Sequence, residues 1–279
     1  MENAIYTSIQ GQAEIMSLYQ AALDAWPVPY QTRTVPTRCG DTFVLTCGDK
    51  ACPPLLLIHG ASSNATAWIG DVADYSRHFH VLAVDVIGEP GKSAPSRPAW
   101  AGPAYAQWLA DVIEGLGLEQ VLLVGISQGG WIALRYASVH PERVIKMVLL
   151  APAGVVPTEK AFLLRAMLYT LLGRWGAGRL NRYVFGPQPI DPQTLRFMNA
   201  ILVHFRARID REYLFQDAEL EQVTMPVLFV GGEQDVIRSA GKIEARLRAH
   251  LPHLHSQILP GSGHVLVHTS GQILPFLTR

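Results

Sequence analysis

The chain has 279 residues, of which 49% are hydrophobic and 16% charged, and its formal net charge is +0. This composition excludes a disordered chain, and the length suits one α/β domain with an insertion or two small domains. The balanced charge gives no electrostatic attraction to nucleic acid or to an anionic membrane, so we expect neither partner.

The N-terminal part contains the features that bear on location. Met1–Ala4 lacks the basic and apolar regions of a signal peptide, and no uncharged apolar stretch reaches about 18 residues. Helical spacing over 12–26 predicts a leading helix. Two antiparallel strands at 31–39 and 41–47 would then hold Cys39 beside the turn and Cys47 far from it. Since the third cysteine, Cys52, leaves an odd count, we expect reduced thiols and a cytoplasmic protein.

Apolar strands then alternate with helices along the chain. The predicted strands are 55–58, 80–85, 121–126, 144–150, 225–230 and 256–260, and the predicted helices are 64–75, 103–116, 131–137, 240–251 and 265–277. This alternation is typical of an α/β fold with a mainly parallel sheet covered on both faces.

The alternation stops between Pro152 and Met225. Two helical segments, 158–172 and 193–208, flank a stretch that contains Gly173, Gly176 and Gly178. We interpret this part as a helical cap, which divides the chain into a first core part at 1–152, a cap at 153–224 and a second core part at 225–279. Four arginines make the front of the cap basic, and such a surface is more often solvated than an anion site: Arg165, Arg174, Arg179 and Arg182.

The strand at 121–126 leads into Gly125-Ile126-Ser127-Gln128-Gly129, and an apolar helix follows directly. Strand, sharp turn and helix are the context in which a G-x-S-x-G pattern exposes a nucleophilic serine. The flanking glycines would remove the Cβ atoms that clash with the neighbouring strand and helix. The pattern therefore predicts Ser127 as a nucleophile.

A serine hydroxyl needs a base, and the base needs an orienting acid. His264 lies in a glycine-rich loop after the last predicted strand, and Asp235 lies just past the strand at 225–230. The order Ser, Asp, His along the chain is the one expected for this architecture. Glu233 is two residues from Asp235 and is the alternative acid.

Negative charge on a tetrahedral intermediate needs N–H donors. We expect these from the backbone of Gln128, next after the serine, and of Ala61, next after His59-Gly60. His59 would support this loop without transferring protons. The closing helix would place His268 one turn beyond His264, as a surface or core residue.

Other motifs do not support a cofactor or metal. The segment 88–93 ends in Gly-Lys-Ser, but Val86 stands where a phosphate-binding loop needs glycine, and the prolines that follow cannot open a helix. His250, His253 and His255 crowd one turn without a cysteine or carboxylate to complete a ligand set. We therefore expect no cofactor and no metal.

Together the motifs resemble the α/β-hydrolase superfamily. They are Leu57-Ile58-His59-Gly60, Asp85-Val86-Ile87-Gly88, Gly125-Ile126-Ser127-Gln128-Gly129 and Gly263-His264, and the resemblance spans about 40–155 and 225–268. An acidic residue directly after this first glycine, here Glu89 after Gly88, is similar to what small bacterial carboxylesterases of the naproxen-esterase type carry at this position. Thr269 and Gly271 depart from the Glu and Pro that relatives often carry in the closing helix.

The resemblance implies an α/β-hydrolase fold of about eight mostly parallel strands, with a cap after the sixth. It implies Ser127 as nucleophile, His264 as base, Asp235 as orienting acid, and Ala61 and Gln128 as oxyanion donors. The expected activity is a carboxylesterase-type serine hydrolase that cleaves small-molecule esters. A carbon–carbon bond hydrolase or lyase on the same triad, and a non-enzymatic receptor, are the alternatives, and the protein could be a monomer or a homodimer.

Overall fold

The strands form one twisted sheet in a computed structural model, which describes residues 5–210 and 212–279. Within these residues the sheet has eight strands in the order β1-β2-β4-β3-β5-β6-β7-β8. The strands are β1 Tyr30–Val35, β2 Thr42–Cys47, β3 Pro54–Ile58, β4 His80–Val84, β5 Val121–Ile126, β6 Val144–Leu150, β7 Val227–Gly232 and β8 Leu254–Leu259. Only the pairings of β2 with β1 and β4 are antiparallel, which confirms the predicted mostly parallel α/β sheet.

Helices cover both faces of the sheet. They are α1 Ile9–Asp24, α2 Val72–Tyr75, α3 Ala104–Gly115, α4 Gln128–Ala137, α5 Lys160–Leu171, α6 Gly173–Phe185, α7 Pro192–His204, α8 Asp217–Leu220, α9 Ala240–His250 and α10 Ser270–Leu277. Two 3-10 turns, Ala65–Trp68 and Pro141–Arg143, complete the regular structure. No helix in the described part of the chain is long and apolar enough to cross a membrane.

The core has two layers because the side chains of each strand alternate between the faces. Along β3, Leu56 and Ile58 belong to the cluster that includes Trp108 of α3 and Trp131 of α4. Leu55 and Leu57 point the other way, into the cluster under α1 and α10. Since both faces are buried, the strands are continuous apolar runs, as the sequence indicated.

The helix predicted at 64–75 is wrong, because a 3-10 turn and the short α2 stand there. Asn64 caps the turn by accepting from the Thr66 N–H at 3.1 Å. Gly70 interrupts the segment where the ring of His268 comes close to its backbone. A residue near the other end of the chain therefore fixes this break, which local spacing does not reveal.

The closing helix begins five residues later than predicted, at Ser270. His268 has φ +54°, in the left-handed region, so it is not one helical turn beyond His264. The Ser270 N–H donates to the Asp71 carboxylate at 2.7 Å, and this bond fixes the start of α10.

In the part of this segment that the structure describes, four helices, α5 to α8, lie between β6 and β7. The glycines at 173, 176 and 178, which we predicted to separate two helices, belong to a helix of their own, α6. A Cβ atom on Gly176 would overlap the Tyr169 carbonyl, so glycine permits the close approach of α5 and α6. The α6 helix ends against the His264 loop, where the His264 N–H donates to the Val184 carbonyl at 2.9 Å.

Candidate active site

Ser127 lies on a sharp turn between β5 and α4, with φ +49° and ψ −108°. A Cβ atom on Gly125 would overlap the Gly129 carbonyl, and one on Gly129 would overlap the Ile58 carbonyl. The Ser127 N–H donates to the Leu150 carbonyl of β6 at 2.8 Å. Glycine on both sides thus allows a strained turn that only close packing of strand and helix maintains, as predicted from the pattern.

The structure brings His264 between Ser127 and Asp235. The His264 Nε2 atom is 3.1 Å from the Ser127 Oγ atom, and the His264 Nδ1 atom is 2.8 Å from the Asp235 Oδ2 atom. The second oxygen of Asp235 accepts from the N–H groups of Ile237 at 2.8 Å and Arg238 at 3.0 Å. The imidazole is therefore bonded on one side to the serine hydroxyl and on the other to a carboxylate that is itself fixed.

Burial alone would raise the pKa of Asp235. The hydrogen bond and charge of His264, with the two backbone N–H groups, outweigh burial and hold the pKa below its ordinary value. Asp235 therefore stays ionised at neutral pH, and its charge fixes the ring orientation in which Nδ1 faces the carboxylate. The alternative acid, Glu233, instead accepts from the Gly261 N–H at 3.1 Å.

The predicted oxyanion donors flank the serine. Gln128 is the first residue of α4, so its N–H lies at the helix terminus, where no intrahelical acceptor exists. Ala61 follows Gly60, whose backbone packs against Ser127, because a Cβ atom there would lie 3.5 Å from that of the serine. The two loops that carry these N–H groups therefore meet beside the Ser127 side chain.

His59 supports the loop that carries Ala61. The Val86 N–H donates to the His59 Nε2 atom at 2.9 Å, so Nδ1 carries the proton and donates to the Gly60 carbonyl at 2.8 Å. Complete burial lowers the pKa of His59 to about 4. The ring is therefore neutral at physiological pH, which fits the supporting role that we predicted.

A family model described as the alpha/beta hydrolase family matches residues 55–272. The chain belongs to the alpha/beta hydrolase family.

Two curated relatives match over most of this alpha/beta hydrolase. The uncharacterized carboxylesterase nap of Bacillus subtilis is 30% identical, and the match covers 89% of this chain and 85% of nap. The carboxylesterase YbfK of the same organism is 28% identical over 94% of this chain and 90% of its own. The crystal structure of naproxen esterase from Bacillus subtilis superposes with a TM-score of 0.87 at 27% identity, covering 97% of this chain and 99% of that one.

The hydrolase also buries a carboxyl group that sequence reasoning did not assign to the site. The Ser62 N–H, next after Ala61, donates to the Glu89 Oε2 atom at 2.7 Å. Ser62 has φ +55°, and Glu89 is 3% exposed. Burial raises the pKa of Glu89 to about 7, although the Ser62 bond and the charge of Arg97 oppose it. The family resemblance pointed to an acidic residue after Gly88, but the sequence gives no sign of its contact with the loop that carries Ala61.

The loop at 88–93 wraps around the buried Asp85. The Lys92 N–H donates to the Asp85 carboxylate at 2.7 Å, and the Ser93 hydroxyl donates to the Asp85 carbonyl at 2.6 Å. Because Asp85 uses these groups, they anchor the loop to the end of β4 and shape no phosphate cradle. Within residues 5–210 and 212–279, no three His, Cys, Asp or Glu side chains are grouped to hold a metal ion.

Proposed function

We propose that this protein hydrolyses carboxylic esters through an acyl-enzyme formed on Ser127. The observation that carries the proposal is the hydrogen-bonded line from Ser127 through His264 to Asp235, with contacts of 3.1 and 2.8 Å. The match to carboxylesterases over most of both chains supports an ester as the substrate.

In the first half of the reaction, the Ser127 oxygen attacks the ester carbonyl while the His264 Nε2 atom takes the hydroxyl proton. Asp235 stabilises the imidazolium that forms and does not itself take the proton. The N–H groups of Ala61 and Gln128 bind the tetrahedral oxyanion. His264 then returns its proton to the leaving alcohol.

In the second half, His264 takes a proton from water, and the resulting hydroxide attacks the acyl-enzyme. The same N–H groups bind the second tetrahedral oxyanion. Collapse of this intermediate releases the carboxylic acid and returns the proton to the Ser127 oxygen. The cycle consumes only the ester and water, and the chain supplies the side chains and the backbone N–H groups that act on them.

We assign the helical segment at 153–224 as the cap over this site. Its link to the site is the bond from His264 to Val184 near the end of α6. The thiols of Cys39, Cys47 and Cys52 are free, which suits a reducing compartment, and a cytoplasmic location stays a prediction. The expected oligomeric state, a monomer or a homodimer, stays a prediction as well.

The test compares wild-type protein with Ser127→Ala on p-nitrophenyl esters of increasing chain length. We expect the variant to lose at least about 10⁴-fold in kcat with its fold intact, since the nucleophile is absent. A serine-directed phosphonate should label the wild type once per chain and leave the variant unlabelled. Equal turnover by both proteins would contradict the mechanism, and cleavage of diketones without cleavage of esters would favour the carbon–carbon alternative.

A further inference from the structure

Helices α5 and α6 expose an unusual amount of apolar surface. Six large side chains are each between 51% and 78% exposed, and no residue of α5 is buried. We call these side chains the apolar face: Leu163, Leu164, Met167, Leu168 and Leu171 on α5, and Trp175 on α6. At 3.6 residues per turn, the five positions on α5 fall within an arc of about 140°, so they form one continuous stripe.

Exposed apolar side chains elsewhere in the described residues are scattered. Val139 is 51% exposed and Ile145 is 41% exposed, and both lie near the start of β6. Ile9 is 83% exposed at the start of α1, and Ile209 is 98% exposed in the segment after α7. Single exposed residues are normal, but a contiguous patch marks a surface that binds something apolar.

The charge around the apolar face has one sign. Residues 160–190 contain one lysine, four arginines and no aspartate or glutamate, so the rest of the chain carries a net charge of −5. Lys160 falls within the same arc of α5 as the apolar stripe. The Arg179 guanidinium lies over the Trp175 ring, 4.1 Å from its centre. Cations therefore stand within and beside the apolar face.

The acid that precedes α5 in the sequence already has a cationic partner. Glu159, which precedes α5, pairs with Lys242 at 2.7 Å. Among the residues that the structure describes, no carboxylate lies in ion-pair contact with Arg165, Arg179 or Arg182. These cations are thus available to an external anion.

We propose that the apolar face and its cations bind the surface of an anionic lipid bilayer. An amphipathic helix with large apolar residues on one side and flanking Lys or Arg lies in the plane of a lipid interface, and anionic headgroups add to the attraction. The protein binds from one side and does not span the bilayer. The zero net charge of the whole chain, from which we expected no membrane partner, conceals this local asymmetry.

Charge also argues against a second copy of the chain as the occupant. A two-fold dimer would place the same patch on both sides of the interface, so the cations of one copy would face those of the other. The like charges would repel, whereas an anionic surface attracts all of them. The lipid surface therefore satisfies both the apolar residues and the cations.

Binding would place lipid at one end of the helix whose other end contacts the His264 loop. Trp175 lies near the first turn of α6, and Val184 near its end accepts the hydrogen bond from His264. One helix thus connects the proposed lipid surface with the loop that carries the imidazole. The proposal itself concerns binding and does not depend on ester hydrolysis.

The test measures sedimentation of the full-length protein with vesicles of phosphatidylcholine containing roughly one-third phosphatidylglycerol, and with phosphatidylcholine alone. We expect binding to the anionic vesicles that falls roughly tenfold or more in about 0.5 M salt, because salt screens the attraction. Arg165→Gln combined with Arg179→Gln should weaken binding by a similar factor. Leu168→Glu combined with Leu171→Glu should abolish it.

The matched control is Val139→Glu combined with Ile145→Glu, which adds the same charge at exposed apolar positions away from α5 and α6. It should bind as wild type does, and so should Ser127→Ala, which separates lipid binding from catalysis. Circular dichroism checks that the variants are folded. No binding to the anionic vesicles, equal binding to neutral ones, or unchanged binding by the glutamate pair on α5 would overturn the proposal. A dimer in light scattering that the same glutamate pair dissociates would overturn it too.

Discussion

Replacing Glu89 by glutamine tests whether a buried carboxyl group, bonded to the loop that carries Ala61, makes the stability of the fold depend on pH. Burial raises the pKa of Glu89 from 4.5 to about 7 in the folded protein. A raised carboxyl pKa contributes stability that is fully present below the unfolded value and is lost as pH rises through the folded value. At 1.36 kcal/mol for each pKa unit, the loss between about pH 4.5 and pH 8 is about 3 kcal/mol.

Glutamine has nearly the same shape, and its carbonyl oxygen can still accept from the Ser62 N–H, but it does not ionise. The stability of Glu89→Gln relative to wild type should therefore rise with pH, by about 3 kcal/mol over this range. Urea unfolding at pH 5, 6, 7 and 8 measures the difference directly. Only the difference is needed, so the titration of groups common to both proteins cancels.

A control uses Glu244, a half-buried carboxylate with the opposite shift. The hydrogen bonds from Ser256 and Arg248 hold the pKa of Glu244 below its ordinary value. The stability of Glu244→Gln should therefore run parallel to that of wild type above pH 5, where Glu244 is mostly ionised in the folded and the unfolded chain. If the curves of Glu89→Gln and wild type run parallel from pH 5 to pH 8, the reasoning about Glu89 is refuted.

Two further substitutions, each with a control substitution, test the geometry around His264. Asp235→Asn should lower kcat by a factor of about 10²–10⁴, because the amide no longer fixes the ring or stabilises the imidazolium. The control, Glu233→Gln, should keep most of the activity. Steady-state kinetics on one p-nitrophenyl ester compares the two variants. Gly232→Ala should displace the His264 loop, since a Cβ atom there would overlap the Gly263 carbonyl, and should lower kcat while the protein remains folded. Gly271→Ala, whose Cβ atom would have nothing within 4 Å, should match wild type in kcat and should unfold at a temperature no lower than that of wild type.

The parts of the fold that could be predicted from sequence are those with local causes. The bounds of β5 and β6 match the predicted strands because each is an unbroken apolar run between turn signals. The proximity of Ser127, His264 and Asp235 could be predicted because each residue follows a strand within a short, glycine-rich stretch. No distant contact was needed to recognise these patterns.

The parts that could not be predicted depend on contacts between distant residues. Asp71 accepts from the Ser270 N–H, 199 residues away, and this bond fixes the start of α10 at a later residue than predicted. Glycine normally weakens a helix, yet Gly176 lies inside α6. Glycine is needed there because the Tyr169 carbonyl occupies the space that a side chain would fill. The link from Glu89 to the loop after Ala61 is of the same kind, since burial is a property of the folded chain.

The loop lengths after the strands follow from the order of the sheet. The residues Ile126 of β5 and Leu150 of β6 are paired in register, and Gly232 of β7 is paired with Leu259 of β8. Since neighbouring strands lie about 4.8 Å apart, β8 is about 14 Å from β5, and its loop must turn back across two strands to reach the serine. Ser127 follows its strand directly, Asp235 lies three residues past β7, and His264 lies five residues past β8. The glycines at 261 and 263 belong in the longest of these connections, where φ of Gly261 is +65° and a Cβ atom on Gly263 would overlap the Phe185 carbonyl.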